Sequence, residues 1–141
     1  MIYVDTSLLV ALHVTERDSE VALSWFKRRA TEIFLYSDWT ELEVSSALSR
    51  KLRSGTMTFA QRRGAEQALQ RTKLDSFRQV AVATEHFRSA ESMVRHYETG
   101  LRSGDALHLA IAKANGAAIA TLDQTFASAA TRLGVAVEPV S

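Results

Sequence analysis

Short apolar runs alternate with helical patterns along almost the whole chain. Runs at 2–5, 33–36 (Ile-Phe-Leu-Tyr), 79–82, 117–122 and 135–137 read as strands. Between them, apolar positions recur at helical spacing near 6–13, 18–30, 38–53, 58–73, 84–99, 104–115 and 123–133. Turn signals fall at Ser54-Gly55, Thr99-Gly100, Asn115-Gly116 and Gly134, and Asp38 and Ser103 stand where helix caps belong. Strands that alternate with helices predict a parallel α/β sheet flanked by helices. The alanine-rich 104–115 segment predicts a helix packed tightly on that sheet. The largely polar 58–73 segment predicts one half of a helical hairpin with 38–53 rather than a core element. No internal repeat, low-complexity tract or boundary interrupts residues 1–141, which read as a single domain.

Composition narrows the chemistry. With 46% hydrophobic residues in 141, the chain can bury one real core, and a single proline with six glycines argues against disorder. The absence of cysteine excludes disulfides, thiolate zinc sites and cysteine nucleophiles. The N-terminal Met-Ile-Tyr-Val-Asp has no basic region before an apolar run, and no segment approaches a membrane span; a cytoplasmic protein is expected. Net charge is only +1, but residues 50–78 carry eight basic side chains against two acids. That segment is either a solvated helical face or a surface for a polyanion.

The candidate chemistry lies in four scattered carboxylates. Asp5 and Asp123 each end an apolar strand, and in an open parallel sheet the strand C-termini line the edge where ligands bind. Asp105 opens a helix, and an acid from the 38–53 helix is the fourth candidate. Capping or the helix dipole explains any one of these acids alone. Gathered at one edge, they form a negative pocket that calls for a hard divalent cation. On the 38–53 helix, Glu41 falls within the apolar stripe and Glu43 at its flank, so periodicity leaves both open. Ser7 and Thr121 place hydroxyls two residues from Asp5 and Asp123, where they either orient a carboxylate or bond the local backbone. His108 lies one turn after Asp105 and reads as a packed helical residue or as a site residue. His13, His86 and His96 form no metal-spaced set.

Taken together, Tyr3-Val4-Asp5-Thr6-Ser7, Glu43-Val44-x-x-Ala47-Leu48, Asp105-Ala106-Leu107-His108-Leu109-Ala110 and Ala120-Thr121-Leu122-Asp123 resemble the PIN-domain ribonucleases. Among these they are most similar to the VapC-type toxins of toxin–antitoxin pairs. The resemblance covers the whole chain in motif order and spacing. It implies a PIN-like three-layer α/β/α sandwich with a mostly parallel central sheet of four or five strands. It also implies an acidic quartet of Asp5, Glu43, Asp105 and Asp123, with Glu43 selected over Glu41, and supporting hydroxyls at Ser7 and Thr121. The implied activity is that of an endoribonuclease dependent on Mg²⁺ or Mn²⁺, acting as the toxin of a type II toxin–antitoxin system. The implied partners are an RNA substrate and a cognate VapB-like antitoxin that covers the cleft. The implied assembly is a homodimer or a hetero-oligomer with that antitoxin.

RNA bases would stack on aromatics, for which Trp39 and Tyr97 are the candidates, although both read first as core or dimer residues. Two other readings compete. A phosphatase with an Asp nucleophile usually shows Asp-x-Asp, and here the second slot is Ser7. A non-catalytic PIN-like domain would bind RNA or protein through its basic helices.

Overall fold

The computed structural model describes residues 1–141. Four short strands form one sheet: β1 (Ile2–Val4), β2 (Phe34–Ser37), β3 (Phe77–Val80) and β4 (Ala118–Ala120). Their order is β3-β2-β1-β4 and every neighbouring pair is parallel. The helices are α1 (Thr6–His13), α2 (Ser19–Arg28), α3 (Asp38–Arg53), α4 (Phe59–Ser76), α5 (Thr84–Val94), α6 (Ser103–Ala114) and α7 (Gln124–Arg132). None is long and apolar enough to cross a membrane.

Strand periodicity builds the three layers. Successive side chains point to opposite faces, so Ile2, Val4, Phe34 and Tyr36 enter a core shared with α1, α2 and α3. Tyr3, Leu35 and Ile119 enter a second core with α6 and α7. The central strand β1 is buried on both faces, which is why it reads as an unbroken apolar run.

The chain steps from β1 to β2 to β3, then returns to place β4 on the other side of β1. The order therefore reverses between β1 and β4, and a crevice opens at the carboxyl ends of strands flanking such a switch point. Asp5 follows β1 directly, and Asp123 stands three residues past the end of β4.

Several boundaries differ from expectation. Residues 135–137 supply one parallel bridge, Val137 with Ile119, rather than a fifth strand, and Pro139 has no N–H with which to extend the ladder. β3 starts at Phe77, two residues early, because Phe77 stacks on Phe26 and Phe34 and pins the register of this edge strand. The predicted 84–99 helix stops at Val94. A 3₁₀ turn at Tyr97–Thr99 follows, ending in Gly100 at φ 68°, a left-handed conformation glycine adopts freely. The α3 cap is Ser37, in a reciprocal capping box with Thr40, and not Asp38; α6 is preceded by Arg102 with no side-chain cap, so Ser103 is not one either. α4 is more than a hairpin partner: Ala65 and Leu69 are buried, and Leu69 joins the first core.

Candidate active site

Asp5, Glu43, Asp105 and Asp123 all line one cleft of about 1060 Å³ at the switch point. The two aspartates that end strands are also helix caps. Asp5 Oδ1 accepts the Leu8 N–H at 3.0 Å, and Asp123 Oδ1 accepts the Phe126 N–H at 3.0 Å. Capping here does not compete with a site role, because it fixes each rotamer and leaves the second oxygen for other partners. The N-termini of α1, α6 and α7 carry these acids, and their dipoles favour negative charge.

Two hydroxyls tie the strand ends together. Thr121 Oγ1 donates to Asp5 Oδ2 at 2.5 Å and accepts the Asp123 N–H at 3.0 Å. Ser7 Oγ donates to Asp5 and accepts the Leu122 N–H at 3.1 Å. Asp5 is buried, and that burial pushes its carboxyl pKa upward against the hydrogen bonds from Thr121, Leu8 and Ser7. Asp105 is also pushed up, first by burial, with Arg102 opposing and Asp123 adding to the shift. The Arg102 guanidinium reaches both carboxylates, 3.5 Å from Asp105 Oδ2 and 3.4 Å from Asp123 Oδ2.

Glu43 enters from the opposite wall. Its Oε1 accepts the Thr6 hydroxyl at 2.8 Å and the Nε2–H of His108, which is only 1% exposed. Burial works to raise the Glu43 pKa, but the hydrogen bonds from His108 and Thr6, with the Arg102 charge, outweigh it and hold the carboxyl below its ordinary range. Glu41 instead pairs with the buried Lys73 on the α4 side. The fold thus separates two acids that helical periodicity left equivalent. No three acidic side chains converge closely enough for direct coordination of one ion. The donor set nevertheless fits a hydrated hard cation, because such ions keep several waters and take only one or two carboxylates directly. A single guanidinium already spans two of the four acids.

A family model described as "PIN domain" matches residues 2–131. The chain belongs to the PIN-domain family. No curated protein matches significantly. Among solved structures it is similar to Mycobacterium tuberculosis VapC20, a "Sarcin-Ricin loop cleaving toxin", at 22% identity and TM-score 0.74, covering 99% of this chain and 100% of that one. FitAcB from Neisseria gonorrhoeae matches at 21% identity and TM-score 0.69, covering 99% and 97%. VapBC2 from Rickettsia felis, bound to a promoter DNA fragment, matches at 16% identity and TM-score 0.68, covering 98% of each.

Several residues that build or support the PIN-domain cleft carry no site role in the sequence reading. Thr6 bonds Glu43, Arg102 spans Asp105 and Asp123, and the buried Tyr3 bonds His108. Gly104 is a further case: a Cβ there would lie 3.1 Å from Glu43 Oε2 and 3.4 Å from the Trp39 ring, so its lack of a side chain admits both. The basic 50–78 segment is not one surface. Arg50 and Lys51 line the cleft, Arg62 pairs with Glu66, Lys73 is buried against Glu41, and Arg63 and Arg71 line a separate groove between α3 and α4. Trp39 lines the cleft wall with its Nε1–H on the Gly104 carbonyl, whereas Tyr97 is 88% exposed and lies outside the cleft.

Proposed function

We propose that this PIN domain is a metal-dependent endoribonuclease acting as the toxin of a type II toxin–antitoxin pair. The single observation that carries the reading is the convergence of Asp5, Glu43, Asp105 and Asp123 on one cleft at the switch point of a parallel sheet. The likeness to VapC20 and to the FitAcB and VapBC2 complexes supports the toxin role and an antitoxin partner.

Charge in the cleft explains why a cation comes first. Six carboxylates line it against three basic side chains, so a polyanion meets net repulsion until that charge is countered. Asp5, Asp105 and Asp123 would hold Mg²⁺ or Mn²⁺, chiefly through water, with Glu43 completing the set. When bound, the cation supplies Lewis acidity, neutralising charge on the phosphate oxygens and acidifying water. The chain's own groups do the positioning: Thr121 and Ser7 fix the Asp5 carboxylate, and Thr6 and His108 fix Glu43. Arg102 stands where it can leave its two aspartates for a substrate phosphate, and Arg50, two turns along α3 from Glu43, can hold a flanking one. The same negative cleft suits an arginine-bearing antitoxin segment, whose guanidinium would replace the cation's charge. A homodimer, or a hetero-oligomer with the antitoxin, is the assembly this reading implies.

The test is cleavage of RNA by purified protein. Cutting in Mg²⁺ or Mn²⁺, loss in EDTA, restoration by either metal and inhibition by a co-expressed antitoxin are expected. Equal cutting in EDTA would sink the proposal.

A pH dependence follows from the two raised carboxyls. Asp5 and Asp105 keep their protons to higher pH than ordinary aspartates, so protons compete with the cation over a wider acidic range. Mn²⁺ affinity should therefore fall on acidification before free aspartate titrates, with net proton release on binding near that range. Calorimetry in buffers of different ionisation enthalpy measures both, and a pH-independent affinity would contradict it.

A further inference from the structure

His108 sits in the middle of α6, where Ala106, Leu107, Leu109 and Ala110 are all buried and apolar. An imidazole there costs stability unless both ring nitrogens find partners. Both do. Nε2 bonds Glu43 Oε1, and Nδ1 lies 3.0 Å from the Tyr3 hydroxyl. That hydroxyl lies 2.7 Å from Ser37 Oγ and 3.0 Å from Thr40 Oγ1, the two side chains of the α3 capping box.

The directions of these bonds follow from chemistry. An ionised carboxylate only accepts, so Nε2 carries the proton toward Glu43. In the neutral imidazole Nδ1 then accepts the Tyr3 O–H, and the Ser37 and Thr40 hydroxyls donate to the Tyr3 oxygen. Every member of the chain is buried except Glu43, which stands at its cleft end. Glu43 Oε1 is fully engaged by Thr6 and His108, which leaves Oε2 facing Gly104 and the cleft.

We infer that His108 is a positioning residue for Glu43, aimed by a buried relay running from the α3 capping box through Tyr3. Glutamate has three rotatable bonds, and a cation or water site needs its carboxylate held to within a fraction of an ångström. The relay removes that freedom. It also couples the start of α3, where β2 ends, to the one acid that does not follow a strand or open a helix. His108 lies in the cleft wall but is only 1% exposed, with Nε2 turned to Glu43, so in this scheme it acts through Glu43 rather than on substrate or cation. The inference rests on the nuclease reading, since it names what orients one acid of that site.

The experiment compares wild type, His108→Leu, His108→Gln and Tyr3→Phe. The readouts are Mn²⁺ affinity by calorimetry, RNA-cleavage kcat and KM, and thermal unfolding. Leu keeps the apolar volume without either bond, whereas Gln can donate to Glu43 and accept from Tyr3. Loss of such an orienting partner weakens metal affinity or activity roughly 10- to 100-fold, so His108→Leu should lose that much in kcat and Mn²⁺ affinity with KM nearly unchanged. His108→Gln should recover most of it. Tyr3→Phe, which keeps the ring in the core, should give a smaller loss in the same two quantities and stands in if His108→Leu fails to fold. Full kcat and Mn²⁺ affinity in His108→Leu, or in Tyr3→Phe where Leu does not fold, would overturn the inference alone, as would a Gln variant no better than a folded Leu variant. Wild-type protein that neither binds Mn²⁺ nor cuts RNA would instead overturn the nuclease reading, and this inference with it.

Discussion

Asp123→Asn is expected to abolish most RNA cleavage while leaving the fold in place. Asn is as good a helix N-cap as Asp, so the bond from the Phe126 N–H that starts α7 survives the change. What disappears is one negative charge of a cleft whose purpose, on our reading, is to hold a cation. Removing one preorganised electrostatic contact of this kind costs roughly 10²- to 10³-fold in kcat. Asp105→Asn should behave alike, since Asp105 stands in the first turn of α6 and shares the Arg102 guanidinium with Asp123. Cleavage of a labelled RNA at matched circular dichroism measures the effect. In cells, either substitution should relieve the growth arrest caused by expression without antitoxin. Undiminished cutting by folded Asp123→Asn would remove that carboxylate from the mechanism.

The largest stability effect is expected at Trp25. It is completely buried on α2, 5.7 Å from the Phe34 ring at 59°, with the Arg29 guanidinium 5.0 Å from its own ring centre. Truncating a buried aromatic to alanine loses its transfer free energy and leaves a cavity, together about 3–5 kcal/mol. For a domain of this size each kilocalorie lowers Tm by roughly 2–8 °C, so Trp25→Ala should melt more than 6 °C early. Trp25→Phe should lose far less. The indole Nε1–H is buried without a hydrogen-bond partner, and removing an orphan donor offsets part of the lost packing. Urea denaturation with unchanged m-value distinguishes the two, and equal midpoints for Ala and Phe would contradict the account. The consequence reaches the site because α2 packs on α1, whose first turn carries Ser7 and is capped by Asp5.

Much of the fold is legible in the sequence because it depends on local periodicity. The apolar runs of β1, β2 and β4 stand in strands buried on both faces, and that burial is what makes them continuous. β3 is less legible. Its Phe77-Arg78-Gln79-Val80 sequence has two exposed polar residues, and only the stacking of Phe77 on distant rings fixes where it starts. The segment around Val137 misleads for the complementary reason: a short apolar run looks like a strand whether or not a full ladder forms.

For the candidate site the division is sharper. Local pattern is enough to place acids after strands at Asp5 and Asp123, an acid at a helix start at Asp105, and hydroxyls nearby, because position relative to a strand or helix end is a local property. That these groups share one cleft depends on long-range topology, the reversal of strand order between β1 and β4. Periodicity leaves Glu43 and Glu41 both open and the family resemblance favours Glu43; the packing gives the physical separation, sending one to Thr6 and His108 and the other to Lys73. Tertiary packing alone supplied Tyr3, Thr6, Arg102 and Gly104, whose roles depend on atoms up to about a hundred residues away in sequence. Helical spacing specifies the direction of a side chain about its own axis. What waits in that direction is set by how whole elements pack.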